Sequence, residues 1–385
     1  MMNRTLAACS ALALAACSST QGAKITAQSK TPAGGLKDAF APAFMIGAAL
    51  GPLQFTERDT ATASLVKREF NAITPENVLK WERVHPQPNG YIFAPADQYV
   101  AFGERNRMFV VGHTLVWHNQ TPRWVFENAQ GQPLTREELL ARMKEHISTV
   151  VGRYKGRIKG WDVVNEALND DGSLRASPWL RIIGPDYIAK AFAFAHEADP
   201  AAELYYNDYG LDYPAKRDGA VRLVRSLQER GIRVHAVGTQ EHLRLTTPSI
   251  AQVDSSIRAL AALGVKVNVT ELDVDVLPQA TRNTGADVSL NAGPVPALDP
   301  YKGGLPDSVQ QALARRYADL FRVYLQHRDV IDRVTFWGAA DHASWLNGWP
   351  VRGRTNYPLL FDRQNQPKPA YHRVMSLNRE IPLVP

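Results

Sequence analysis

Residues 234–271, VHAVGTQEHLRLTTPSIAQVDSSIRALAALGVKVNVTE, hold one complete turn of the pattern that decides the fold. The β-branched apolar run at 234–238 reads as a buried strand, and 249–263 repeats apolar residues at helical spacing. Gly264 stands where a left-handed residue ends a helix, and a second strand candidate follows at 265–269. Each strand candidate runs directly into polar residues: Gln240, Glu241 and His242 after the first, Glu271 and Asp273 after the second.

The same alternation extends in both directions. Further strand candidates lie at 44–50, 71–74, 109–115, 158–164, 203–206 and 334–337. Helical patterns lie between them at 59–70, 136–154, 186–198, 216–230 and 307–326, with a last one at 371–379. Thr135 and Glu138 make a capping box ahead of 136–154, and Gly231 closes 216–230. Strand and helix alternating eight times predict an α/β protein of the (β/α)8, or TIM-barrel, class. An open doubly wound sheet is the rival, but no glycine-rich phosphate loop follows the first strand. The Pro-, Gly-, Asn- and Asp-rich segment 277–306 is long for a loop and fits a rim rather than a domain boundary. A single catalytic domain over 37–385 is therefore expected.

Ahead of that domain the chain changes character. Arg4 and the apolar run from Leu6 to Ala16 read as a signal peptide over 1–16, too short to span a bilayer. Leu14-Ala15-Ala16-Cys17 resembles a bacterial lipobox, so Cys17 is expected to carry lipid at the head of a flexible tether, 17–36. The alternative is plain cleavage and secretion. Either way the protein is exported, to the periplasm or cell surface if anchored, and it meets a membrane only through the lipid. Cys9 and Cys17 are the only cysteines, so no disulfide staples the main body. The formal net charge is +6, with Lys and Arg interleaved among Asp and Glu. That argues against a nucleic-acid partner, which would need a basic stripe or a recognisable module.

In barrels of this class the reacting groups sit at the C-terminal strand ends. There the sequence offers Glu76, Asn77 and Lys80, then His113 and Trp117, then Asn165 and Glu166. Asn207 and Tyr209 follow, then Gln240 and His242, then Glu271 and Asp273, and last Trp337 and Trp345. Two glutamates ending strands across the barrel mouth suit glycosidic chemistry, one carboxyl protonating the leaving oxygen while the other attacks the anomeric carbon. Their separation decides between retention and inversion. The acid should have a raised pKa through burial or its neighbour's charge. The nucleophile should stay ionised beside a donor such as His242, which Asp273 can hold by its other nitrogen. Asn165 can donate to a sugar 2-hydroxyl. Tryptophan rings suit the apolar faces of pyranose rings. Trp81 is expected to pack internally, while Trp117, Trp337 and Trp345 are expected in a cleft.

Trp161-Asp162-Val163-Val164-Asn165-Glu166-Ala167 and Val269-Thr270-Glu271-Leu272-Asp273 resemble the acid/base and nucleophile motifs of glycoside hydrolase family 10. Gly112-His113-Thr114-Leu115-Val116-Trp117-His118, Tyr205-Tyr206-Asn207-Asp208-Tyr209 and Gly238-Thr239-Gln240-Glu241-His242 are similar to its other signatures. The resemblance covers roughly 43–382. It implies an endo-β-1,4-xylanase acting with retention on xylan and xylo-oligosaccharides; a monomer without cofactor or metal is expected. It makes Glu166 the acid/base and Glu271 the nucleophile, supported by Asn165, His242 and Asp273. It places Glu76, Asn77, Lys80, His113, Trp117, Asn207, Gln240, Trp337 and Trp345 against substrate, with Tyr209 toward the aglycone. Lys80 and Trp345 would crowd a hydroxymethyl group, favouring xylose over glucose. Thr74-Pro75-Glu76-Asn77 departs from the family with a proline where alanine is frequent.

Three other readings stay open at this level: a related retaining hydrolase of β-glucans, a non-catalytic surface glycan-binding lipoprotein, and a metal-dependent hydrolase using His113, His118, His242 and Asp273. The last has poor ligand spacing.

Overall fold

Parallel strands must be covered on both faces, and here the sheet meets that demand by closing on itself. The computed structural model describes Met1, residues 34–279 and residues 292–380. Among the described residues nine strands run in chain order: β1 (Met45–Leu50), β2 (Ala72–Pro75), β3 (Phe109–Val116), β4 (Gly160–Asn165), β5 (Glu203–Asp208), β6 (Ala236–Thr239), β7 (His242–Arg244), β8 (Lys266–Asp275) and β9 (Ile331–Phe336). Their order is β6-β5-β4-β3-β2-β1-β9-β8-β7, and β6 also pairs with β8, which closes an eight-stranded barrel. Gly238 opposite Asn268 is one register pair of that closure.

Eight longer helices of the described residues follow the strands: α1 (Thr60–Glu69), α2 (Ala94–Arg105), α3 (Arg136–Arg153), α4 (Tyr187–Ala198), α5 (Pro214–Glu229), α6 (Ile250–Ala261), α7 (Asp307–Gln326) and α8 (Pro369–Ser376). Sequence-level ends agree with the caps: Thr135 and Glu138 form the reciprocal box at α3. Gly231 and Gly264 adopt positive φ just past α5 and α6.

Strand alternation divides the apolar side chains between two cores. Residues such as Ile46, Ile73, Val110, Trp161, Val163, Leu204, Val237, Val267 and Val334 belong to the large cluster under the helices. Val111, Tyr205 and Ala236, with Phe109 against them, form a separate small cluster on the opposite strand face, inside the barrel. Arg333 extends that interior packing, its guanidinium 5.4 Å from the Phe109 ring and 5.3 Å from the Tyr205 ring. Glycines make room for the largest groups. A Cβ at Gly112 would sit 2.1 Å from the Trp161 ring, and one at Gly160 would sit 2.1 Å from the Tyr205 hydroxyl.

Four sequence expectations are corrected. The strand read as 265–269 continues to Asp275, so Glu271 and Asp273 lie within β8 instead of past it. The short β7 was not anticipated; it pairs outside the closed barrel, with His242 opposite Asp273. Helix α2 is a further element that the sequence reading lacks; its buried face, Ala96, Tyr99, Val100 and Gly103, includes two small residues that weaken the apolar stripe. Leu36, assigned to the tether, is wholly buried and opens a short helix, and its N–H donates to Glu69 Oε2 at 2.9 Å. The rim segment 277–306 is described only at its two ends, and the leader, Cys17 and the rest of the tether lie outside the described residues. Among the described residues no helix is long and apolar enough to cross a membrane.

Because the Trp161 ring fills the space a Gly112 side chain would need, Gly112→Ala should destabilise the fold by about 1–3 kcal/mol. Chemical denaturation should show this as a lowered midpoint at unchanged m-value.

Candidate active site

A cleft of about 420 Å³ opens at the C-terminal mouth of the barrel. Every residue expected at the site lines it except Asn207, with Cys17 outside the described part.

Glu166 follows β4 directly and holds φ at +55°, in the left-handed region that non-glycine residues seldom occupy. Its backbone is fixed on both sides: its N–H donates to Asn207 O at 2.8 Å, and Arg175 Nε donates to its carbonyl at 3.0 Å. Its carboxylate accepts from Trp117 Nε1 at 2.9 Å, from Gln240 Nε2 at 3.0 Å and from Asn165 Nδ2 at 3.3 Å. Burial pushes its pKa above the ordinary value, and the charges of Asp208 and Glu271 add to that. The Gln240 and Trp117 donors oppose the rise without cancelling it.

Glu271 is buried to a similar degree and titrates the other way. Burial alone would raise it, but the His242 hydrogen bond, the charges of His113 and His242 and the Asn207 donor together hold it below the ordinary carboxyl value. Asn207 Nδ2 donates to Oε1 at 2.8 Å, and His242 Nε2 lies 3.2 Å from Oε2. The other ring nitrogen, Nδ1, lies 3.0 Å from Asp273 Oδ1, and Trp345 Nε1 donates to Asp273 Oδ2 at 2.7 Å. The parallel ladder that sets His242 opposite Asp273 brings this chain of contacts into register. Burial works against charge on His242, yet the two flanking carboxylates win and push its pKa up to about 10.

Asn207 is wholly buried, which corrects the expectation that it faces substrate. Its amide donates to Asn165 Oδ1 at 2.9 Å as well as to Glu271, and its oxygen accepts from Thr270 Oγ1 at 2.7 Å. Its bonding capacity is taken up beneath the cleft floor. It ties the two glutamate-bearing strands together.

On the opposite wall Lys80 Nζ donates to Gln120 Oε1 at 2.9 Å and Asn77 Oδ1 at 3.1 Å, and lies 5.0 Å from the Trp117 ring centre. Burial lowers its pKa, against the pull of Glu271, Glu76, Glu166 and Glu82. Glu76 is raised, chiefly by burial. His113 Nδ1 lies 2.8 Å from Asp162 Oδ2, and the ring meets Trp337 edge-on at 5.5 Å. Trp345 stacks on Trp349 at 4.8 Å. Trp81 packs internally against His146, ring centres 3.6 Å apart.

Three supporting residues had no individual role in the sequence reading. Asp162 could have been found, since strand register places it opposite His113. Gln120 bridges Lys80, Asn77 and Glu82, and Arg175 bridges the Glu166 carbonyl and the Tyr209 hydroxyl. Both sit in loops, where no periodicity marks them. The candidate metal ligands are engaged elsewhere, His113 with Asp162 and His242 with two carboxylates. Among the described residues no three His, Cys, Asp or Glu are grouped to hold a cation.

Residues 35–377 match the profile of Glycosyl hydrolase family 10. An Endo-1,4-beta-xylanase A of Xylanibacter ruminicola is 46% identical, covering 89% of this chain and 93% of the relative. A Thermostable celloxylanase of Thermoclostridium stercorarium is 38% identical over 89% of this chain and 87% of its own. Among solved structures, a family 10 endoxylanase retrieved from sugarcane soil metagenome superposes with a TM-score of 0.84. It is 49% identical and covers 89% of this chain and 99% of that one.

With a pKa near 10, His242 should remain an imidazolium at pH 8. Nitrogen-15 NMR of the ring should then show both nitrogens protonated; a neutral ring at pH 7 would contradict the two-carboxylate clamp.

Proposed function

The chain belongs to glycosyl hydrolase family 10, and we infer from that membership and its cleft that it is a retaining endo-1,4-β-xylanase. The observation that carries the mechanism is the opposite bias of two buried glutamates, Glu166 raised and Glu271 lowered. Such a split is how a site assigns acid and base.

In the first step ionised Glu271 attacks the anomeric carbon of a xylosyl unit while protonated Glu166 gives its proton to the glycosidic oxygen. The C–O bond to the aglycone breaks, the aglycone leaves as an alcohol, and a glycosyl–Glu271 ester remains. In the second step Glu166, now a carboxylate, takes a proton from water as the water oxygen attacks the same carbon. The ester bond breaks, Glu271 returns as a carboxylate, and two inversions give net retention. Asn207 and the His242–Asp273 pair hold the attacking carboxylate; Asn165 is proposed to donate to the 2-hydroxyl. Glu76, Asn77, Lys80, His113, Gln240 and Trp337 are proposed to bind glycone sugars, Trp117 to hold Glu166 beside them, and Tyr209 to receive the aglycone. Lys80 and Trp345 are proposed to leave no space for a hydroxymethyl group. Xylan should therefore be cleaved far faster than carboxymethylcellulose, and the reverse preference would overturn the substrate assignment. No cofactor takes part, and a monomer suffices.

The expected outcome for Glu271→Ala is loss of turnover on every substrate. Glu166→Ala should lose about 10²–10⁴-fold on xylan, keep attack on dinitrophenyl xylobioside, and give a β-glycosyl azide when azide is added. An α-azide would contradict the assignment. In the parent enzyme kcat/KM should be bell-shaped. Activity should fall on the acid side only below the ordinary carboxyl range, where Glu271 gains a proton. It should fall on the alkaline side as pH rises through the raised value of Glu166, which must start protonated.

The export signal and lipid anchor at Cys17 are proposed from residues 1–36. Cys17→Ser should move the enzyme from the membrane fraction to the soluble fraction; an unchanged distribution would favour ordinary cleavage.

A further inference from the structure

The end of the barrel opposite the cleft has taken no part so far. It is built from the connections that run from each longer helix to the next strand: 70–71, 106–108, 154–159, 199–202, 230–235, 262–265 and 327–330. In barrels of this class that end ordinarily serves stability. Its charge is unexpected for such a role. The connections hold seven lysines and arginines against two carboxylates, Asp199 and Asp329, and Asp199 is buried. That surplus of five compares with a formal +6 for the whole chain. The helix ends and strand starts beside them bring both signs, and several of these pair: Arg157 with Glu104 at 2.8 Å, Lys266 with Asp332 at 2.9 Å.

The remaining six cations, Arg107, Lys155, Lys159, Arg230, Arg233 and Arg328, form no ion pair among the described residues. Five of them are exposed and Arg328 is half-buried. A helix dipole favours cations in its last turn and at its cap, which accounts for Arg230 at the end of α5. That influence fades within a turn, and Lys159 and Arg233 stand past it, beyond the ends of α3 and α5. Unpaired cations sharing one face repel one another and favour the fold only when an anionic surface meets them. No such excess marks the cleft, where five carboxylates meet Lys80, Arg244, Arg354 and the His242 imidazolium.

The chain also enters the domain on this face. Leu36 N–H donates to Glu69 Oε2 at 2.9 Å, and Lys37 Nζ donates to Lys67 O at 2.6 Å. Both bonds pin the first described turn to the last turn of α1, just ahead of β2. From Cys17 to Gly34 the chain can reach about 60 Å at most. A lipid on Cys17 therefore keeps the basic face within range of the bilayer that holds the anchor.

We propose that this basic face is a docking surface for an anionic phospholipid bilayer, on which the anchored enzyme stands with its cleft turned away from the lipid. Lipid phosphates supply the partner charge that the six cations lack, and they act within a Debye length of the surface. The cleft is left open to a polymer in solution. The cellular setting rests on the Cys17 anchor proposed above; the charge of the face does not.

The test uses the Cys17→Ser enzyme collected from the soluble fraction, so that a lipid chain plays no part. It is sedimented with phosphatidylcholine vesicles that contain either no phosphatidylglycerol or about one third. The enzyme should bind only the anionic vesicles, and about 0.5 M NaCl should release it by screening the contact. Combining Lys155→Glu, Lys159→Glu and Arg233→Glu should weaken that binding at least about a hundredfold. The same variant should keep its thermal midpoint and its kcat/KM on xylo-oligosaccharides. Lys155→Arg with Lys159→Arg should bind as before. Arg83→Glu, Arg181→Glu and Lys302→Glu, three exposed cations in strand-to-helix connections, should together leave vesicle binding intact. Equal loss in the two triple variants would make net charge the cause and overturn the face. Binding to neutral vesicles, or none to anionic ones, would do the same. Retention on glucuronoxylan that only the face variant loses, without vesicle binding, would give the face to an acidic polysaccharide and sink the membrane. If the parent carries no lipid while the soluble enzyme binds anionic vesicles, the anchor reading fails and the docking face stands.

Discussion

One imidazole between two carboxylates organises the catalytic half of this barrel. His242 reaches Glu271 with one nitrogen and Asp273 with the other, and Trp345 fixes Asp273 from the rim. Such an arrangement holds only if β7 and β8 keep their register, so it depends on the short side ladder outside the closed sheet. It also separates the two glutamates electrostatically. Both are buried, and burial favours the neutral form of each. The cation beside Glu271 reverses that tendency there, while Glu166 faces neutral donors and the buried Asp208.

The rest of the barrel supplies the rigidity that this separation needs. The large apolar core lies under the helices, and the interior core is small, with the upper interior given to His113, Asp162, Asn165, Asn207 and Gln240. Polar groups so placed are tolerated because they bond one another: His113 with Asp162, Asn207 with Asn165, Glu271 and Thr270. Glycines at 112 and 160 let Trp161 and Tyr205 fill the remaining space on opposite faces of neighbouring strands.

Much of this was legible in the chain because strand ends announce themselves. An apolar β-branched run that stops at a carboxylate or amide marks the element and the direction its end faces, as at Glu166 and Gln240. Helices with sharp caps, such as α3 after Thr135, were equally plain. Legibility failed where pairing is tertiary. A three-residue strand such as β7 carries no period, and the extension of β8 past Glu271 depends on partners far away in sequence. Asn207 carries the same chemical signature whether it faces sugar or a neighbouring carboxylate, and only the closed barrel shows which. Gln120 and Arg175 act from loops, whose side chains obey no repeat.

Behind the Tyr209 ring sits Lys216, wholly buried, its ammonium 3.1 Å from the ring centre and 3.0 Å from Asp208 Oδ1. Arg175 joins that ring's hydroxyl to the backbone of Glu166. The ring proposed to receive the aglycone and the backbone of the proposed acid are thus linked through one guanidinium, with the Lys216–Asp208 ion pair behind the ring.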